Sequence, residues 1–369
     1  MASAFAALKE KLFTPNNHSK YEVGWKEVPP ELHKEFATLL QNHYEIESVQ
    51  EIHQVDEYER ASNNFRCRVR WNNGLRTVLL RKHVTRRANL ESIALVDRTI
   101  HHLQEHGIPT PALLLTVDGV TVFQEADQFY QLFEFVEGAH YRGTNLELIH
   151  LARQLPRLHM ALNLIPFADE IRRKPFPWPQ WTLEGWSDFF DRARVGSDYY
   201  DRLVADAEGL ILGQGLICQE ALKDQTSLHE QVLHGDLHPL NTIFEAEELK
   251  VFLDFGETRV DELLRDIGTG LHRFVRQYVV YRNKDWRIWL PLAVSVFIEE
   301  YAEVNPISDC DIALLPSFLC DDLLRKMFDN LNNYFVHGST RSIDDGELEK
   351  KLILLQEASV IRDVVHKFL

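Results

Sequence analysis

The chain has 369 residues, 45% hydrophobic and 26% charged, ordinary values for a globular protein with a sizeable core and room for two domains. Its formal net charge of −16 argues against nucleic-acid binding, which needs basic surface. The four cysteines are scattered with no CxxC pair, which argues against a zinc ribbon or a disulfide scaffold and for a reducing compartment.

The first residues, MASAFAALKEKLF, carry charges where a signal peptide needs an apolar run. The longest apolar stretch, around Trp289–Ile298, is about half as long as a membrane span. A cytoplasmic protein with no membrane partner is therefore expected. Residues 1–45 read as an amphipathic helical extension, with LHKEFATLLQNHY the clearest helix after Pro29-Pro30. From about residue 46 the pattern changes to strands. FRCRVRW (Phe65–Trp71) alternates, NNG turns, and LRTVLLRK (Leu75–Lys82) follows, the signal of a β-hairpin.

ANLESIALVDRTIHHLQEHG predicts a helix, with Ile93, Val96, Ile100 and Leu103 at helical spacing and Gly107 ending it. The run from Pro111 to Gly138 reads as three strands with tight turns. After Gly138 the chain is mainly helical. The exception is Leu233–Glu257, where QVLHG and KVFLDFG, both strand-like, flank a polar loop. The expected domains are thus 1–45, a β-rich 46–137 and a helical 138–369.

That exception carries the chemistry. In HGDLHPLN, Asp236 and Asn241 lie five apart on a loop that Pro239 keeps from being helical, and Asp254 of DFG follows thirteen residues after Asn241. Asp236 is a candidate proton acceptor. Asn241 and Asp254 are hard oxygen ligands of the type Mg²⁺ prefers alongside nucleotide phosphates. A base with metal-held phosphates is the minimal set for moving the γ-phosphoryl group of ATP to a hydroxyl. The same letters admit a rival. His234, Asp236 and His238 alternate and would share one side of an extended strand, as metallohydrolase ligands do. Pro239 interrupts such a strand, and no HxH or HExxH elsewhere completes that site.

HGDLHPLN followed by FLDFG resembles the aminoglycoside phosphotransferase and choline kinase-like family, whose fold is similar to that of protein kinases. The HGD form points to the small-molecule branch, since protein kinases carry HRD. One departure is Leu240, where family members often have Gly. The resemblance covers roughly residues 50–275. It implies an α+β bilobal protein kinase-like fold: an N-lobe of antiparallel sheet plus a helix, and a larger, mainly helical C-lobe.

The resemblance also implies site residues. Asp236 is the catalytic base, and Asn241 and Asp254 are the Mg²⁺ ligands. The loop in ERASNNFRCRV is similar to the family's Ser-Asn loop, so Ser62 and Asn63 are candidate phosphate contacts. The third strand supplies a cation, Arg81 with Lys82 as the alternative. The two alternate, so only one faces the nucleotide. An acid on the next helix pairs with that cation, Asp97 with Glu91 as runner-up. Backbone groups from Glu134 to Val136, in the segment that resembles the inter-lobe connector, meet the adenine edge. His159 resembles a packed family histidine, and Asp266 a family Asp that holds the catalytic loop.

The implied activity is ATP- and Mg²⁺-dependent phosphorylation of a hydroxyl on a small molecule: an aminoglycoside, choline, an amino-alcohol, homoserine or a sugar. A non-catalytic nucleotide-binding protein of the same fold is one alternative, against which the intact Asp236, Asn241 and Asp254 count. A protein kinase is the other, against which the missing GxGxxG, HRD and APE segments count. Phe176–Trp186 is rich in Trp and Pro and either lines the acceptor site or staples a loop to the core. Glu184, Asp188 and Asp191 either meet a cationic acceptor or are solvated helix charges.

Overall fold

A computed structural model of the chain describes residues 8, 11–14, 24–55, 62–83, 89–174, 178–223, 225, 228–281, 284–339 and 346–369. In chain order the elements are β1 (Trp25–Glu27), α1 (Pro30–Tyr44), β2 (Ser48–Val55), β3 (Ser62–Trp71), β4 (Gly74–His83), α2 (Leu90–Glu105), β5 (Leu113–Leu114), β6 (Val122–Glu125), β7 (Gln128–Glu134) and β8 (Ala139–His140). Then come α3 (Asn145–Asn163), α4 (Ala168–Arg172), α5 (Leu183–Val195), α6 (Tyr199–Leu222), β9 (Glu230–Leu233), β10 (Thr242–Glu245), β11 (Glu248–Phe252), β12 (Arg259–Glu262), α7 (Leu263–Tyr281), α8 (Trp286–Ala302), α9 (Asp309–Phe335) and α10 (Glu347–Phe368). They divide into two units, a β-rich one of residues 17–141 with 240–258 and a helical one of residues 1–16 with 142–239 and 259–369.

The β-rich unit is built on an antiparallel sheet ordered β1-β2-β3-β4-β7-β5, with β6 also paired to β7. Asn72 and Asn73 take left-handed backbone, φ 50° and 60°, the conformation a two-residue hairpin turn needs and Asn tolerates. α1 opens at Pro30, whose ring presets the first helical φ. It packs Phe36, Leu40 and Tyr44 against Phe65, Cys67, Val78, Leu80, Tyr130 and Leu132. These sheet residues alternate along β3, β4 and β7, so they form one pleat face. The short β1 lies within the stretch expected to be helical. Its three residues are too few to show alternation, and pairing to β2 makes them a strand.

A second correction concerns the polar loop expected between the two motif strands. Thr242–Glu245 is the strand β10, which pairs antiparallel with β11 and with β8. At Gly138 φ is +147°, and an added Cβ would lie 2.5 Å from Ile243 Cγ2 and 2.6 Å from the Phe244 carbonyl oxygen. Only glycine allows that approach of the chain to β10.

In the helical unit, α5, α6, α9 and α10 share a core of Trp186, Phe190, Tyr200, Leu324, Met327 and Leu355, among others. β9 and β12 form a two-stranded ladder that ends at the pair Leu233–Arg259. Among the described residues, no helix is long and apolar enough to cross a membrane.

Candidate active site

In the helical unit the chain leaves β9 into His234-Gly235-Asp236, and three groups pin this loop. Asp266, near the start of α7, accepts hydrogen bonds from the backbone amides of His234 (2.7 Å) and Gly235 (3.1 Å). The Gly235 carbonyl accepts from Arg259 Nη1 at 2.9 Å. The buried His234 ring accepts the Asp236 amide at its Nδ1, 3.3 Å away. A ring turned to its own loop in this way orients backbone, which removes the metallohydrolase reading of His234. His159 is wholly buried, with Nδ1 on the Tyr301 hydroxyl (2.7 Å) and Nε2 3.6 Å from Asp266 Oδ2. It is a packed residue that steadies Asp266.

The Asp236 side chain is 40% exposed and lies 3.4 Å from His238 Nε2. Burial of its surroundings works to raise the carboxyl. The His238 hydrogen bond and charge, with Lys326 and His234, outweigh that and hold it well below the usual carboxylate range. The loop thus presents an ionised carboxylate on fixed backbone.

Within the β-rich unit, the β10–β11 register aligns Thr242 with Phe252, and the Leu253 amide donates to the Asn241 carbonyl at 2.9 Å. The hairpin therefore brings the ends that carry Asn241 and Asp254 side by side, although thirteen residues separate them in sequence. Asn241 is 7% exposed. Asp254 adopts φ 58° and ψ 76°, a costly backbone for a non-glycine residue that clusters at functional sites. Its carboxylate is exposed. The single hydrogen bond found to it among the described residues is a long one, 3.4 Å from the Gly256 amide. An amide side chain and a lightly engaged carboxylate, carried on adjacent backbone ends, are donor types that fit Mg²⁺.

The pleat divides the two candidate cations. Lys82 pairs with Tyr130 on the α1 face and lies 5.9 Å from that ring. Arg81 is on the other face, 5.3 Å from the Phe133 ring, and its Nε donates to Asn64 Oδ1 at 3.1 Å. Asn63 shares a rung with Lys82, and Ser62 with His83. The side chain that meets Arg81 is that of Asn64, a neighbour of the two candidate phosphate contacts, Ser62 and Asn63. Residues 59–61 of the same loop lie outside the described residues.

Asp97 on α2 does not pair directly with Arg81 among the described residues. Its carboxylate accepts from Thr121 Oγ1 and from Gln131 Nε2, the latter at 2.8 Å. Gln131 Oε1 in turn accepts from His83 Nε2 at 2.8 Å. Gln131 therefore links Asp97 to His83 and not to Arg81. Burial raises the Asp97 carboxyl against these two hydrogen bonds and the Arg81 charge. Glu91, the runner-up, is exposed in the first turn of α2. At the end of β7, the Glu134 amide donates to Ala112 at 2.9 Å and the Phe135 amide to Thr77 at 3.4 Å. Val136, half-buried, follows where the ladder has ended.

His83, Gln131 and Asn64 were not singled out in the sequence. Their signal was the alternation itself, because all three lie on the Arg81 face. Burial and the Arg81 charge, opposed by Gln131 and Asp254, push the His83 imidazole down to about 4. The unfolded chain, with a value near ~6.5, binds the extra proton between about pH 4 and 6.5. Stability from neutral His83 is therefore fully present above about pH 6.5, falls on acidification, and is worth at most about 3 kcal/mol. His83→Gln is expected to flatten stability against pH in that window, measured by urea unfolding at pH 4.5 and 7. An unchanged slope would remove His83 as its source.

Comparison with known proteins follows the same lines. Residues 58–292 match the model of the phosphotransferase enzyme family. The chain belongs to that family. This phosphotransferase is a small-molecule kinase with an alcohol group as acceptor. It is 23% identical over 266 residues to a homoserine kinase from Bradyrhizobium sp. (strain BTAi1), covering 71% of this chain and 76% of that one. A spectinomycin phosphotransferase solved with ADP and spectinomycin superposes with a TM-score of 0.65 at 14% identity, over 89% of this chain and 98% of that one. A microcompartment-associated aminopropanol kinase gives 0.59 at 18% identity, over 89% and 96%. The phosphotransferase thus has the α+β, protein kinase-like fold, with an antiparallel-sheet unit and a larger, mainly helical one.

In the aromatic segment, Trp181 and Trp186 serve packing. Phe176 lies outside the described residues. Trp186 is fully buried, stacked on Phe190 and edge-on to Phe328, and Trp181 Nε1 donates to Asp321 at 2.8 Å. Glu184, Asp188 and Asp191 are exposed, and Asp191 pairs with Arg194 of its own helix.

Proposed function

We propose that the protein transfers the γ-phosphoryl group of ATP, with Mg²⁺, to a hydroxyl group of a small molecule in the cytoplasm. The observation that carries this reading is Asp236, an ionised, accessible carboxylate on a loop pinned by Asp266, Arg259 and His234. Kinase chemistry depends on positioning and electrostatics more than on covalent steps. A carboxylate held this far below its usual range is a weak base. Asp236 therefore accepts a hydrogen bond from the acceptor hydroxyl, aims its oxygen, and takes the proton as the bond to phosphorus forms.

In this reading residues 46–137, with the β10–β11 hairpin, hold the nucleotide, and 138–369 supply Asp236 and the acceptor site. Arg81 neutralises phosphate charge, and Asn64 and the His83–Gln131–Asp97 chain fix its face of the sheet. Backbone groups around Ser62 and Asn63 meet phosphate oxygens. Those from Glu134 to Val136 meet the adenine edge, where the ladder has ended. Asn241 and Asp254 hold Mg²⁺, whose charge would offset that building on the phosphate oxygens. The relatives named above act on homoserine, spectinomycin and an aminopropanol, a range whose common feature is a hydroxyl.

Thermal unfolding in ATP alone and in ATP with Mg²⁺ tests the nucleotide side. The expected result is a stabilisation that needs both, retained by Lys82→Ala and lost by Asp254→Asn. Equal stabilisation of Asp254→Asn by ATP with Mg²⁺ would remove the metal assignment.

A further inference from the structure

The helical unit holds a second set of charges beside Asp236 that the kinase reading does not use. Along α7, Asp266, Gly270 and Arg273 are spaced i, i+4 and i+7 and share a face. Asp266 holds the amides of His234 and Gly235. A Cβ on Gly270 would lie 3.8 Å from Leu237 Cδ1. The loop thus runs along this stripe, on which Arg273 is the next helical position after Gly270. Lys326, on α9, has its Nζ 4.2 Å from the centre of the Trp178 ring. Arg259, which anchors the Gly235 carbonyl, stacks on the same ring at 5.5 Å.

The acids around these cations are already engaged. Arg265 takes Asp321 (2.7 Å), Asp322 (2.8 Å), Asp261 (3.0 Å) and Glu262 (2.7 Å), and Arg325 also takes Asp321 (2.9 Å). Glu357 is bonded by Arg276 (2.8 Å) and His272 (3.1 Å). Among the described residues Lys326 and Arg273 have no ion pair or hydrogen bond, and both are half-buried. Burial lowers both cations, and Asp236 is among the carboxylates whose charge opposes that lowering. A half-buried, unpaired charge is unfavourable and is relieved by an anion. Trp178 is covered by the protein's own cations rather than open to a cationic ligand.

We propose that the acceptor carries, besides its hydroxyl, an anionic group, a carboxylate or a phosphate, which Lys326 and Arg273 bind beside Asp236. The proposal rests on the kinase reading of Asp236 and deepens it.

The test uses the full chain with ATP and Mg²⁺ and three sets of probes. L-homoserine and D-glycerate carry a carboxylate, glucose 6-phosphate a phosphate, and ethanolamine, choline and 1-amino-2-propanol neither. Turnover is followed together with thermal shift in the presence of Mg²⁺ and a non-hydrolysable ATP analogue. The expected result is turnover or stabilisation by an anion-bearing probe. Lys326→Ala and Arg273→Ala should raise its KM, or its dissociation constant, about tenfold or more. The KM for ATP should be unchanged, with Lys326→Arg and Arg273→Lys close to wild type. The first two probe sets separate carboxylate from phosphate. Activity confined to the third set, no response to either anionic set, or an anionic probe indifferent to both alanine variants would overturn the proposal. Absence of any response to ATP with Mg²⁺ would instead sink the kinase reading beneath it.

Discussion

Asp236→Asn is expected to lower kcat by about a thousandfold, within the ~10²–10⁴ range of a positioned base, in a protein that still folds but is somewhat less stable at neutral pH, because the folded carboxyl is depressed. The side chain is partly exposed and its removal breaks no buried pair, because the loop is held through backbone groups by Asp266, Arg259 and His234. The amide of Asn has nearly the shape of the carboxylate but cannot take the proton. KM for ATP should therefore change little, while kcat and acceptor kcat/KM fall together, the pattern of an interaction made in the transition state. The pH profile gives a second check. The folded carboxyl sits well below its ordinary value, so it stays ionised above about pH 4. No acid loss of kcat/KM between about pH 5 and 8 should arise from this group. A variant with near-full turnover of the true acceptor would remove the assignment.

Asp266→Ala is expected to produce the largest loss of stability of any single substitution at the site, about 3–5 kcal/mol for the helical unit. The carboxylate is 2% exposed and accepts the His234 and Gly235 amides. Deleting it orphans two buried donors and leaves His159 without its 3.6 Å partner. Burial acts to raise the Asp266 carboxyl, and the His159 ring 3.6 Å away, with the charges of His234 and Arg259, lowers it below its ordinary value. Because the folded value is depressed, the stability it contributes is present above the unfolded value near ~4 and is lost as pH falls through the folded value. The variant should therefore be weakened most at neutral pH and least in strong acid. Urea unfolding at pH 7 and at pH 3 measures this, and a variant as stable as wild type at pH 7 would refute the role. Activity should fall as well, because Asp236 is aimed by the loop that Asp266 holds.

Both residues were legible because short-range chemistry marks them. A Pro-interrupted loop with spaced Asp and Asn, followed by DFG, is visible at fixed separations, and so is RDIG. The β3–β4 hairpin was legible through Asn72-Asn73 and strict alternation. The same alternation put Arg81 and Lys82 on opposite faces before α1 showed which face was covered. β10 was missed because Thr242–Glu245 is four residues between polar neighbours, too short for a period, and β1 for the same reason. Gln131 read only as one more strand residue, and its bridging of Asp97 to His83 arises from the pairing of β7 with β4 and the packing of α2.

The sequence by itself determined the family, the order of a β-rich part before a helical part, and the candidates proposed for phosphoryl transfer around Asp236, Asn241 and Asp254, because each is marked by residues close to one another in the chain. Tertiary structure alone decided which partners those side chains have. Arg259 holds Gly235 across 24 residues and Asp266 holds His234 across 32. Lys326 of α9 and Arg259 of β12 meet over the Trp178 ring from three separate segments. Such pairings are set by the burial of whole helix faces and sheets, a free energy summed over many apolar contacts. No local spacing encodes which polar groups that burial brings together.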